Sequence, residues 1–145
     1  IKEVISSLEP LDGAIEFHKW LRSEFEVIIL SDTFYQFVSP LMHKLDYPTL
    51  FCHQLVIDTN DSIIGYKLRQ PNGKQEAVKA LQNLNFKVVA AGDSYNDIGM
   101  LKQANEGILF DPPENVISDY PQFSVSISYA DFQKKLEACK IKFDG

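Results

Sequence analysis

The 145 residues lack a concentrated positive charge, a long apolar run and a cysteine framework, and each shortage closes off a class of function. Fourteen Lys and Arg stand against twenty Asp and Glu, for a formal charge of −6. Nucleic acid and anionic membrane surfaces both call for a clustered positive field, so neither is an expected partner, and any phosphate must be held by a local arrangement. No apolar stretch approaches the roughly 18 residues of a membrane span, and no signal peptide opens the chain. Only two cysteines occur, Cys52 and Cys139, and they lack metal-ligand spacing. Two such thiols suit a reducing compartment, so a soluble, cytoplasmic protein is expected. The sequence starts at Ile1 rather than Met. That is the mark of processing or of a piece of a longer gene.

What is present is apolar enough to fold. A hydrophobic content of 45% with 12% aromatics supports one domain over 1–145. Ala14, Phe17, Leu21 and Phe25 recur at helical spacing, and residues 27–30 follow as a buried strand. Phe34, Phe37, Val38, Leu41, Met42 and Leu45 are helical again. Pro40 either kinks that helix or sits at its first position behind a Ser39 cap, and the cap is favoured. Residues 50–57 and 63–68 read as two strands around the turn-rich segment 58–62, a hairpin. A helix stripe at Ala77, Val78, Leu81 and Leu84 leads to a strand at 88–91, a helix through Ile98, Leu101 and Ala104, and a strand at 108–110. The tail gives a turn at Pro112–Pro113, a short helix at 115–117, a strand around Val125 and Ile127, and a last helix from Ser128, with Asp131 at capping-box spacing. This alternation predicts an α/β fold with a doubly wound parallel sheet, whose ligands bind at the carboxyl ends of strands.

Three motifs fall at such ends. Ser31, Asp32 and Thr33 follow a strand, where a hydroxyl and successive N–H groups suit phosphate oxygens, although taken alone they are explained better by a helix cap. Asp93 and Asp97 follow Gly92 at the end of the next buried strand and suit a hard cation such as Mg²⁺. Capping and the helix dipole explain one of those carboxylates more readily than both. Lys74, at the start of a helix, gains meaning only from company, as a cation able to hold a phosphate in its transition state. His18, His43 and His53 have no partner at catalytic or metal spacing and read as structural or surface residues.

In this order the motifs resemble the haloacid dehalogenase-like phosphohydrolases: Ser-Asp-Thr after a strand, Lys before a helix, then Gly-Asp-x-x-x-Asp after a strand. Within that superfamily the chain is similar to the phosphoserine phosphatase branch, above all to bacterial phosphoserine/homoserine phosphotransferases. The likeness runs from about residue 8 to 139, through PLDGAIEFHKWLR, VIILSDTFYQF, GYKLRQ, AAGDSYND, GILF and PENVI. It implies a three-layer Rossmann-like core with a β-hairpin excursion, and a Mg²⁺-dependent phosphatase or phosphotransferase of serine biosynthesis. An aspartate nucleophile would take the phosphoryl group from phosphoserine, and water or homoserine would resolve the aspartyl-phosphate. By the same resemblance Ser31 and the backbone after it bind phosphate, and Lys74 pairs with phosphate and nucleophile. Asp93 ligates Mg²⁺, Asp97 supports the metal shell and catalysis, and Asn96 faces the substrate. Asp32 and Thr33 stand where ordinary phosphoserine phosphatases carry glycines, a feature shared with the phosphotransferases. Asp32 then either points away from the phosphate or meets the substrate's amino group.

One motif is missing, the aspartate followed two residues later by a second carboxylate at the end of the first strand. The pair Glu24 and Glu26 has that spacing but precedes a strand. The resemblance therefore implies that the first strand and most of the substrate-closing cap lie outside these residues, that the chain alone is inactive, and that a second copy or a separate segment completes the sheet. A phosphatase of another small phosphomonoester, and a non-catalytic assembly module without a nucleophile, remain open beside this reading.

Overall fold

The computed structural model describes residues 7–145, which divide between Pro71 and Asn72 into two compact units. In the first unit, helix α1 (Ala14–Glu24) starts at Gly13, whose positive φ of 81° suits glycine, and leads into strand β1 (Ile28–Phe34). Helix α2 (Tyr35–Lys44) follows, then the hairpin β2 (Thr49–Ile57) and β3 (Ile63–Lys67). The three strands form a sheet in the order β1-β2-β3, parallel between the first pair and antiparallel in the hairpin. Asp58 closes the hairpin turn, its Oδ1 accepting from the N–H groups of Asn60 and Ser62 at 2.8 and 2.9 Å.

Two expectations need correction here. Pro40 does not begin a helix behind a Ser39 cap but lies inside α2, and the Ser39 hydroxyl donates back to the Tyr35 carbonyl at 2.5 Å. The helix continues through a residue that has no N–H to give, and the amide side chain of Gln36 is held by both backbone groups of Leu55. Nor do residues 31–33 simply follow a strand. β1 extends to Phe34, but its register with β2 jumps between the pairs Leu30↔Phe51 and Phe34↔His53. Three residues on β1 oppose one on β2, so Ser31, Asp32 and Thr33 bulge out of regular pairing, as segments beside functional sites often do.

In the second unit, α3 (Gly73–Asn83) precedes β4 (Val89–Gly92), a 3₁₀ turn (Tyr95–Asp97) and α4 (Ile98–Gln103). Strand β5 (Glu106–Phe110), helix α5 (Glu114–Asp119), strand β6 (Ser124–Ser126) and helix α6 (Tyr129–Asp144) complete it. Its strands are all parallel, in the order β4-β5-β6. The mixed α/β class, the parallel winding and the hairpin excursion are as the sequence predicts. Among the described residues the strands fall into two three-stranded sheets, with β1 and β4 each at an end. Val78, Leu101, Ile108, Leu109 and Val116, each at most 2% exposed, make the core of this unit. At about 2 kcal/mol for each buried aliphatic side chain, they fix α3, α4 and α5 against the sheet. The final strand is shorter than its alternation suggests, because Ile127 is exposed. Ser128 caps α6 by accepting from Asp131 N–H at 3.1 Å, while the Asp131 carboxylate turns to Lys135 at 2.6 Å. Cys52 and Cys139 are both free thiols.

Candidate active site

The sharpest constellation lies at the carboxyl end of β4. Gly92 ends that strand because nothing larger fits: a Cβ there would stand 2.5 Å from the Asp97 side chain. With the chain so close, the Asp97 carboxylate reaches back under the turn. Its Oδ2 accepts from the N–H groups of Asp93 and Ser94 at 3.0 and 3.2 Å and from the Ser94 hydroxyl at 3.3 Å. Ser94 and Asp97 thus form a capping box on the 3₁₀ turn. The other oxygen, Oδ1, accepts from Lys74 Nζ at 2.9 Å. Lys74 comes from the first turn of α3, and both side chains of this ion pair are largely buried.

Burial pushes the Asp97 carboxyl up. The Lys74 hydrogen bond, the Asp93 and Ser94 N–H groups and the Lys74 charge outweigh that and hold it below the ordinary carboxylate range. Asp97 is therefore a buried anion that shapes the turn and fixes a lysine. Asp93 and Asn96 are left exposed at its rim.

Lys74, Asp93 and Asp97 are thus brought together as the sequence suggests, with one change of emphasis. The oxygens of Asp97 are engaged by lysine and amides, so it braces the turn, while Asp93 presents an outward carboxylate. Among the described residues no three His, Cys, Asp or Glu side chains cluster as a ready metal cage. A single hard carboxylate at a strand end fits Mg²⁺ all the same, because that ion keeps several waters and takes one or two protein carboxylates. Tyr95, which sequence reasoning passed over, ties the turn to α5: its hydroxyl donates to Asp119 Oδ2 at 2.5 Å and accepts from Asn115 Nδ2 at 3.1 Å. Ser94 was passed over too, although its Ser-x-x-Asp spacing to Asp97 is a local capping signal; Tyr95 had none.

The first unit carries the second group of candidates. Ser31 is half-buried in the bulge of β1, and its Oγ accepts from Thr33 N–H at 3.3 Å. The exposed Asp32 places a carboxylate oxygen 3.6 Å from His53 Nε2. His53 therefore does have an acidic partner, contrary to expectation, because strand register rather than sequence spacing brings it there. His43 Nδ1 lies 2.6 Å from the Tyr47 hydroxyl. His18 Nε2 is buried without a partner among the described residues.

A strand end of an α/β fold thus carries a buried lysine–aspartate pair behind an outward carboxylate. The chain belongs to the haloacid dehalogenase-like hydrolase family, whose match covers residues 1–105. Among curated proteins, it is 53% identical over 135 residues to "Phosphoserine phosphatase ThrH" of Pseudomonas aeruginosa, covering 93% of this chain and 66% of that protein. It is 50% identical over 135 residues to a "Phosphoserine phosphatase" of Pseudomonas syringae pv. tomato, covering 93% of this chain and 57% of that protein. The chain thus spans somewhat less than two thirds of the length of these relatives. A solved substrate-bound phosphoserine phosphatase complex shares the fold with a TM-score of 0.76 at 22% identity, over 92% of this chain and 67% of its own. An apo phosphoserine phosphatase gives a TM-score of 0.66 at 25% identity, over 77% of this chain and 60% of its own.

Proposed function

We propose that the protein is a Mg²⁺-dependent phosphoserine phosphatase of the cytoplasm. It would act through an aspartyl-phosphate and be able to pass the phosphoryl group to an acceptor such as homoserine as well as to water. The curated relatives named phosphoserine phosphatase support the substrate, and the family supports the hydrolase chemistry. The single observation that carries the site is the 2.9 Å contact between Lys74 and Asp97 beneath the Asp93 turn.

In this reading each side chain has a distinct task. Ser31 and the backbone after it hold phosphate oxygens, and Asn96 meets the substrate. Lys74, oriented by Asp97, presents positive charge to the phosphoryl group as charge builds in the transition state. Asp97 itself moves no proton; held ionised, it keeps Lys74 charged and the turn closed. Asp93 would hold Mg²⁺ with Asp97 behind it, and the bound ion would neutralise phosphoryl charge. The nucleophilic aspartate of the family motif is not among residues 7–145 and would lie outside them, so the chain alone would be an inactive part of one haloacid dehalogenase-like core domain.

The test is phosphate release from phosphoserine by the full-length protein, beside a panel of other small phosphomonoesters. Phosphoserine should be turned over with the highest kcat/KM, and Lys74→Ala should lose about 10²-fold in kcat. Comparable turnover of unrelated phosphomonoesters would replace the substrate assignment with a broader phosphatase. No turnover of any would favour the assembly module.

A further inference from the structure

Phosphoserine carries two acidic groups, and Ser31 with the backbone after it accounts for one. The Ser-Asp-Thr bulge brings a negative charge of its own and no positive one, so an acidic ligand there calls for a cation from elsewhere in the first unit. Arg69 is placed to supply it. The two residues it touches are those whose strand partners bracket the bulge: Phe51 pairs with Leu30, just before Ser31, and His53 pairs with Phe34, just after Thr33. The backbone N–H of Arg69 donates to His53 Nδ1 at 3.0 Å, and its guanidinium carbon lies 4.2 Å from the centre of the Phe51 ring. Because Arg69 comes just beyond the end of β3, its side chain folds back over β2, the strand that runs about 4.8 Å from β1, instead of out into solvent. Lys67, the other cation of that strand end, pairs with Gln54, further along the hairpin. Arg69 is exposed, and among the described residues its guanidinium has no carboxylate partner. A guanidinium held over an aromatic face stays charged, and its rigid fork of N–H donors matches a carboxylate in bidentate fashion.

We infer that Arg69 is a specificity-determining residue that receives the carboxylate of the phosphorylated substrate while Ser31 receives its phosphate, so that the site selects phosphomonoesters bearing an acid group. The inference deepens the phosphoserine reading and rests on it. It gives a role to the end of the hairpin, which the tasks assigned to Ser31, Lys74, Asp93, Asn96 and Asp97 leave unused.

The experiment compares phosphoserine with phosphoethanolamine, which has the same phosphate and amine but no carboxylate, in the full-length protein, with inorganic phosphate as inhibitor. Wild type should prefer phosphoserine in kcat/KM. Arg69→Met, which keeps the stem over Phe51 and deletes the charge, should lose about 10-fold to 100-fold on phosphoserine, chiefly through KM, as a charged hydrogen bond allows. Turnover of phosphoethanolamine and the inhibition constant of phosphate should be little changed. Arg69→Lys keeps a charge without the planar fork and should fall between wild type and Arg69→Met; it decides by the same substrate ratio where Arg69→Met folds poorly. The inference is overturned if wild type does not prefer phosphoserine or if the variants leave the substrate ratio unchanged. It is overturned as well if phosphate inhibition weakens in step with phosphoserine, which would make Arg69 a phosphate contact. No turnover of phosphoserine by wild type would remove the functional reading and this inference with it, whereas turnover with an unchanged ratio in both variants would overturn the inference alone.

Discussion

Replacing Lys74 with methionine keeps the aliphatic stem and deletes the charge that faces Asp97. Breaking a buried ion pair by removing one partner costs about 3–5 kcal/mol when the remaining charge is stranded. Asp97 is not wholly stranded, because the N–H groups of Asp93 and Ser94 and the Ser94 hydroxyl still donate to Oδ2. The expected loss is therefore about 2–3 kcal/mol, which for a domain of this size moves the urea midpoint down by about 1–2 M. The pH dependence gives a second check. The folded Asp97 carboxyl lies below its ordinary value, so its contribution is fully present above the unfolded pKa and is lost as pH falls through the folded one. The gap between wild type and Lys74→Met should be widest near pH 7 and narrow in acid. Urea unfolding of the full-length protein at neutral and acid pH measures both. Equal midpoints at neutral pH, or a gap that widens in acid, would refute the view that this pair carries a buried, lysine-stabilised anion.

Three further outcomes follow from the same geometry. Gly92→Ala drives a Cβ to 2.5 Å from Asp97; it should cost about 2 kcal/mol or more in urea unfolding and weaken activity together with stability. Tyr95→Phe removes the hydroxyl that joins the turn to Asp119 and Asn115, and amide exchange across residues 94–98 should quicken while the core amides of β5 stay protected. The hydrogen bond to Asp119 raises the Tyr95 hydroxyl above its ordinary value, so in wild type this tie is intact at neutral pH and is lost only as alkaline pH passes the raised value. The isolated 145-residue chain should release no phosphate from phosphoserine with Mg²⁺; sustained turnover by it would place the nucleophile within the chain.

Some of this was legible in the sequence and some was not, for physical reasons that can be named. Periodicity found the strands and helices because each buries one face, and the turn residues 58–62 announced the hairpin. The Gly92–Asp93–Asp97 cluster was visible because strand end, tight approach and carboxylate all lie within six residues. Its internal division of labour was not: only the fold shows Asp97 folded under Asp93 and joined to Lys74, 23 positions away. Pro40 misled because proline normally starts helices, whereas here the helix runs on through it. The extension of β1 through Ser31, Asp32 and Thr33 is a consequence of register against β2, which no local pattern encodes. His53 was discounted for the same reason, since its acidic partner arrives across a strand pairing.

Whether Asp93 at the end of β4 is the metal-holding carboxylate of a phosphoserine phosphatase is decided by a Mg²⁺ titration of phosphoserine hydrolysis with full-length wild type and Asp93→Asn. Wild type should show Mg²⁺-dependent turnover, and Asp93→Asn should lose about 10²-fold or more at limiting Mg²⁺, a loss that excess Mg²⁺ partly recovers. Wild-type turnover and an unchanged Mg²⁺ requirement in Asp93→Asn would contradict it.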